Sequence, residues 1–270
     1  MTGYVALGYG DLALASGFLL LNGALSVWLG LGLEQKLAVA AIRMFVQLSL
    51  VGLLLKTLFA LGSPWAVAAL LGFMLVFAGH EVRARQEARI TGWWGYGIGA
   101  GAMMLSAGVV GALALGVLVR PDPWWAPQYA LPLVGMILGN AMNGVSLVLD
   151  NLHRAVMRET RAIEAQLMLG ATRWQAARPF LRSALRTGFM PIINAMAATG
   201  VVSLPGMMSG QILAGVDPSE AVKYQILIML LIAGSTGIGV LLAAYGSLYR
   251  LTDDRHRLRP DRLGPVTDGS

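Results

Sequence analysis

The stretch from Tyr96 to Val119 reads YGIGAGAMMLSAGVVGALALGVLV and contains no Asp, Glu, Lys, Arg or His. As a helix it would rise about 36 Å at 1.5 Å per residue. A bilayer's hydrocarbon layer is about 30 Å thick, so this segment reads as a membrane span. Working outward, six further stretches have the same character, at about 11–31, 37–61, 64–80, 129–149, 188–209 and 220–249. The expectation is an all-α, polytopic integral membrane protein with about seven transmembrane helices.

Composition supports this and narrows the function. The 270 residues are 56% apolar and only 13% charged, whereas soluble domains carry roughly 25% charged residues. A soluble enzyme is therefore unexpected. There is no cysteine, which excludes disulfides, thiolate metal sites and cysteine nucleophiles. Three histidines, His80, His153 and His256, leave little for imidazole chemistry. The 34 glycines suit helices that pack closely in lipid. Small-xxx-small spacings occur at Gly95/Gly99, Gly97/Gly101, Gly135/Gly139 and Gly206/Gly210, each either a contact face or a product of glycine abundance. The first apolar stretch lacks a basic leader and exceeds a signal-peptide core, so it reads as an uncleaved span.

The net charge of +6 has an address. One set of connections contains Lys36, the run 81–95, the segment 150–187 and the C-terminal tail, and it holds 16 of the 20 basic residues. The opposite set holds only Arg120, while Arg43, Lys56 and Lys223 fall within spans. Positive loops stay cytoplasmic, which places the N-terminus outside and the C-terminus inside. The basic excess thus sets orientation and contact with the lipid bilayer, and no nucleic-acid partner is expected. Residues 1–250 read as one transmembrane domain. Residues 251–270 form a polar cytoplasmic tail, expected to be frayed.

The segment 150–187 is long where the other loops are short. Leu152, Val156, Ile163 and Leu167 recur at helical spacing. Gly170 then follows a leucine, as a left-handed C-cap glycine would. Thr172-Arg173-Trp174-Gln175 matches a capping box that starts a second helix, running to about Thr187 and into the next span. No strong breaker ends the fifth span, so its helix could continue into this segment. Helix, tight turn and helix either orient neighbouring spans or present a docking knob, with Glu164 and Trp174 on it, to a soluble partner.

Glu164 to Thr172, EAQLMLGAT, resembles the Glu-Ala-Ala loop of ABC transporter permeases. Gln166 stands at the third position and Arg182-Ser183 replaces the usual downstream leucine-proline. Five further strings resemble the Fet-type iron-export permeases, a family that includes the plant aluminium-resistance membrane subunits. They are Arg43 to Leu48 (RMFVQL), Pro132 to Met142 (PLVGMILGNAM), Val202 to Gln211 (VSLPGMMSGQ), Ala214 to Pro218 (AGVDP) and Lys223 to Ile226 (KYQI). The resemblance covers nearly the whole chain. It implies a homodimeric permease that works with two copies of a separate ATP-binding subunit in the bacterial inner membrane. Bacterial members are linked to iron efflux and plant members to nucleotide-sugar movement. By the same resemblance Glu164, Ala165, Gly170, Ala171, Thr172 and Trp174 form the ATPase-coupling turn.

The residues agree with that division of labour. A phosphate-cradling loop ends Gly-Lys-Ser/Thr, and only Lys56-Thr57 offers the last pair, with Leu55 where glycine is needed. No cofactor is expected on this chain; ATP and Mg belong to the partner subunit. No acid-base constellation suggests an enzyme.

Polar groups inside spans are functional candidates by default. Arg43 and Gln47 share a face of the second span, where the arginine either snorkels or meets an anionic group. Met136, Asn140 and Asn143 fall on one face of the fifth span, either as glue between helices or as a translocation path. Pro205-Gly206 interrupts the sixth span, and Met207, Met208 and Gln211 follow. Asp217 and Glu220 read as an N-cap and an N3 acid around Pro218, or as outer-side acceptors for a departing cation. The donors available for a metal are thioethers, amide oxygens and backbone carbonyls, a weak mixed set; the metal ligands stay unassigned.

The expected function is export of a metal ion, iron by the resemblance. The alternatives are an organic solute such as a nucleotide sugar or metal chelate, or an ATP-independent carrier or channel. A carrier would need an intramembrane carboxylate, which no span has near its middle. A retinal-binding protein would need its lysine deeper than Lys223.

Overall fold

Gly30 and Gly32 take left-handed φ values of 63° and 64°, turning the chain sharply after its first apolar helix. The computed structural model describes residues 8–253, 255 and 257–264. The helices are α1 Tyr9–Trp28, α2 Glu34–Leu61, α3 Pro64–Ala84, α4 Trp93–Leu113, α5 Pro127–Arg158, α6 Thr160–Met168, α7 Arg173–Ala198, α8 Gly206–Leu213 and α9 Pro218–Arg250. A π-helical stretch, Ala114–Val119, prolongs α4. The protein is all-helical.

Internal contacts divide the chain into two units, Met1–Ser63 and Pro64–Ser270. In the first, α1 and α2 pack on each other. Their connection is fixed by Ser26, whose hydroxyl accepts from the Leu33 amide at 2.9 Å and donates to Glu34 at 3.0 Å.

In the second unit α5 is the hub, packed against α3, α4, α7 and α9. Its apolar residues Ile137, Ala141, Val145, Val148, Leu152 and Val156 are buried at helical spacing. In lipid such packing rests on van der Waals fit, which favours small residues at crossings. Two glycines outside every spacing pair noted above mark one such crossing. A Cβ on Gly144 would lie 2.9 Å from the Gly188 carbonyl oxygen and 2.8 Å from Thr236 of α9. Of the four pairs, only Gly95/Gly99 has both members in close contact, against the Ile90 carbonyl and Val82.

Six helices are long and apolar enough to cross a membrane: α1, α2, α3, α4 with its π-helical end, α5 and α9. The expected span 188–209 is not among them. Its residues up to Ala198 belong to the second half of α7, whose first half carries Arg173, Arg178 and Arg182, with Arg186 just beyond. The helix ends at Ala198, seven residues before the expected break at Pro205, because Thr199 is extended and Gly200 takes φ +90°. Residues 199–205 form a turn and Gly206 starts the separate α8. α5 does run on past the expected end of the fifth span, as one helix of 32 residues.

The tail is not frayed over its described part. Thr91 N donates to Arg262 O and Gly264 N to Arg89 O, both at 2.8 Å. Leu258 and Leu263 are buried, and Arg262 reaches the Arg250 carbonyl at 2.6 Å. Thus residues 252–253 and 257–264 are laid on the α3–α4 connection. Residues 265–270 lie outside the described set. The same connection is tied to α5 and α9 by His153, which contacts Ala88 O at 2.9 Å and Ser247 Oγ at 2.6 Å.

Candidate functional site

The α6–α7 turn is built from its caps. Gly170, at φ +90°, sends its amide to Leu167 O, while Ala171 N reaches back to Gln166 O, closing α6. Thr172 opens α7 with the predicted capping box: Gln175 N donates to Thr172 Oγ1 at 3.4 Å, and Thr172 N to Gln175 Oε1 at 2.9 Å. Ile163 is buried beneath the turn, and Glu164, Ala165 and Thr172 are exposed, with Ala171 half-buried. Two residues that sequence reasoning did not single out dominate the tip. Met168 is 82% and Leu169 88% exposed. Apolar residues at the end of a capped helix, next to the required glycine, were the available signal.

Trp174 is 38% exposed and leans on α9. Its ring lies 5.6 Å from that of Tyr245 on α9. Arg173 sits over the Tyr249 ring at 5.0 Å and donates to Thr252 Oγ1 at 3.4 Å. The start of α7 is therefore fastened to the end of α9.

On α5, Asn140 turns inward on its own helix, donating to Met136 O at 2.8 Å. Asn143 accepts from Arg85 at 2.6 Å. Arg85, Asn143, Ser146, Leu147, Asp150 and Pro191 line a cavity of about 320 Å³. Asp150 is held by Arg154 at 2.6 Å and by the Glu87 amide at 2.9 Å. Neither Arg85 nor Asp150 was a candidate from sequence. Asp150 lies two helical turns from Asn143, a spacing that could have flagged it; Arg85 is 58 residues away and left no local signal.

The other candidates lie apart. Arg43 and Gln47 are exposed on α2, in the first unit. Met208 of α8 faces a cavity with Met196, Gln225 and Met229, whereas Met207 and Gln211 do not line it. Asp217 caps α9, accepting from the Ser219 hydroxyl and from its amide at 2.8 Å. Those bonds hold its carboxyl below the ordinary range. Glu220 pairs with Lys223 at 2.6 Å. Both acids thus have local partners. Among the described residues, no group of three His, Asp or Glu side chains is placed to hold a metal ion.

Long apolar helices packed around a glycine-bearing hub define a multi-pass helical membrane protein. The chain belongs to the family described as "Uncharacterised protein family (UPF0014)", whose model matches residues 9–251. It is 39% identical to "UPF0014 membrane protein slr1647" of Synechocystis sp., covering 94% of this chain and 96% of that one. It is 31% identical to "Probable iron export permease protein FetB" of Escherichia coli, covering 84% and 86%. It is 32% identical to "Protein ALUMINUM SENSITIVE 3" of Arabidopsis thaliana, covering 80% and 77%. No solved structure matches it.

Proposed function

We propose that this chain is the membrane-spanning permease subunit of an ABC transporter that exports a metal ion, driven by a separate ATP-binding subunit. The observation that carries the reading is the α6–α7 turn. Met168 and Leu169 stand almost fully exposed on a turn that Gly170 and Thr172 hold rigid. Exposed apolar side chains on a short rigid knob suit a cleft on a soluble partner. The Trp174–Tyr245 and Arg173–Thr252 contacts give the knob a mechanical connection to α9. In this reading ATP and Mg bind to the partner and none of the catalysis is in this chain. The likeness to an iron export permease makes iron the first substrate to test.

Seven crossings, with the N-terminus outside and the C-terminus inside, fit this mechanism. α7 starts beside Tyr245 and ends in the cavity lined by Val222 and Gln225, so it lies antiparallel along α9. A helix running beside a span for its 26 residues crosses with it. The arginines of its first half would then lie at the cytoplasmic headgroups of a bacterial inner membrane. Asn140, Asn143 and Asn194 are exposed; such amides are costly against lipid and suit a path at the axis between two copies of the chain.

The test is purification of the tagged protein from its host in mild detergent, with mass spectrometry of what accompanies it. A stoichiometric ATP-binding subunit, lost on Leu169→Asp or Glu164→Arg while membrane insertion persists, is expected. Recovery without any ATPase at any salt concentration overturns the reading.

A further inference from the structure

A cavity of about 430 Å³ lies between the end of α7, the turn 199–205, α8 and the first half of α9. Met196, Met208 and Met229 line it, with Gln225 and the chain at Thr199 and Gly200. Gln225 is only 6% exposed, and its Oε1 has no hydrogen-bond partner. The Thr199 hydroxyl, on the same cavity, donates to Ala195 O at 2.7 Å. A buried amide oxygen left without a donor calls for an explanation, and a bound ligand is one. An acyl chain would satisfy the apolar wall and leave that oxygen unpaired. An occupant that brings a positive charge or a donor would satisfy it.

The donor set selects among such occupants. The lining holds no carboxylate, imidazole or thiolate, which hard divalent ions and zinc require. Thioethers select soft ions. A neutral set also buries a single charge at far lower desolvation cost than a double one. Methionine has three rotatable bonds, so side chains that line a cavity of this size can close around one ion.

We propose that Met196, Met208, Met229 and the Gln225 carbonyl form a binding site for a soft monovalent cation of the Cu(I) or Ag(I) class. The site's place in transport rests on the permease reading above; the binding itself does not. Its position on the α7–α8–α9 junction puts it where a movement of α7 against α9 would change the ligand set.

The probe is Ag(I), titrated into the purified full-length protein by competition with a chromogenic chelator, followed by X-ray absorption of the bound metal. One tight site per chain with sulfur neighbours is expected. Met208→Leu and Met229→Leu should each weaken it at least tenfold, and Met207→Leu, outside the cavity, should not. Gln225→Glu tests the oxygen without removing it: the added charge should tighten Ag(I) binding and admit divalent ions. Absence of a saturable site, an oxygen-only coordination shell, or equal affinity in the Met208→Leu/Met229→Leu double variant overturns the proposal. Loss of the ATP-binding subunit from purified complexes would instead count against the permease reading and leave silver binding unchanged.

Discussion

Arg85 donates to the Asn143 side-chain oxygen over 2.6 Å, joining the connection after α3 to the middle of α5. The arginine is also 3.9 Å from Glu81, and its side chain is 44% exposed. A charge-assisted bond in that setting is worth about 1 kcal/mol. A double-mutant cycle with Arg85→Ala and Asn143→Ala, read by thermal unfolding in detergent, should return a coupling of that size. Strict additivity would show that the bond does not shape the cavity. Metal efflux should fall in both single variants while the ATP-binding subunit still co-purifies.

Gly170 and Thr172 set the rigidity of the turn by separate means. No atom lies within 4 Å of a Cβ placed on Gly170, so Gly170→Ala meets only the left-handed backbone, at about 1–2 kcal/mol. Thr172→Ala removes a cap worth about 1 kcal/mol. Both should speed hydrogen exchange through Ala165–Gln175 and lower substrate-stimulated ATPase. Gly170→Pro, which cannot adopt φ +90°, should uncouple the two activities altogether with insertion intact. Unchanged stimulation in that variant would remove the turn from the coupling path.

The reach of the sequence follows from the range of the forces involved. Spans and caps are local: hydropathy fixes the first, and a threonine three residues before a glutamine fixes the second. Both were therefore legible, including the continuous α5 and the start of α7. The span 188–209 was misplaced because hydropathy does not register that Thr199 and Gly200 break the helix, while the arginines of α7 share one helix with its apolar end. The site was legible only where it is local. Asn143 and Met208 could be singled out, but their partners come from elsewhere in the chain, Arg85 from the connection after α3 and Gln225 and Met229 from α9. The Gly144–Gly188 crossing likewise joins residues of two different helices, a pairing that no spacing within either helix reports.

The laid-down tail gives a pH prediction. Asp253 accepts from the Arg257 amide at 2.8 Å and pairs with its guanidinium, and these contacts hold its carboxyl below the ordinary value of 3.8. Asp261 is lowered in the same direction by Arg259. A carboxylate with a depressed folded pKa contributes its full stability above the unfolded value and loses it as pH falls through the folded one. Proteolysis within 252–264 should therefore be slow and flat from pH 5 to 7 in parallel assays, with exchange at the Thr91 and Gly264 amides rising only below about pH 4. Asp253→Asn should open the tail across the whole range. A tail equally protected in that variant would mean that the backbone bonds of Thr91 and Gly264, the Arg262 contact and the burial of Leu258 and Leu263 hold it without Asp253.

Two glycines of α5 make the last prediction internally controlled. A Cβ added to Gly139 would meet no atom within 4 Å, while one added to Gly144 would press against the Gly188 carbonyl, Thr236 and Val240 at 2.8–3.0 Å. Backbone cannot yield there as a flexible side-chain tip would, so Gly144→Ala should cost about 1–3 kcal/mol through overpacking. Gly139→Ala meets no such obstacle and removes glycine's excess chain entropy, a gain of roughly 0.5–1 kcal/mol in a helix interior. Thermal unfolding of the two variants should move in opposite directions from the parent. Equal shifts would mean that α5, α7 and α9 do not converge at Gly144, and the antiparallel placement of α7 along α9 would fall with it.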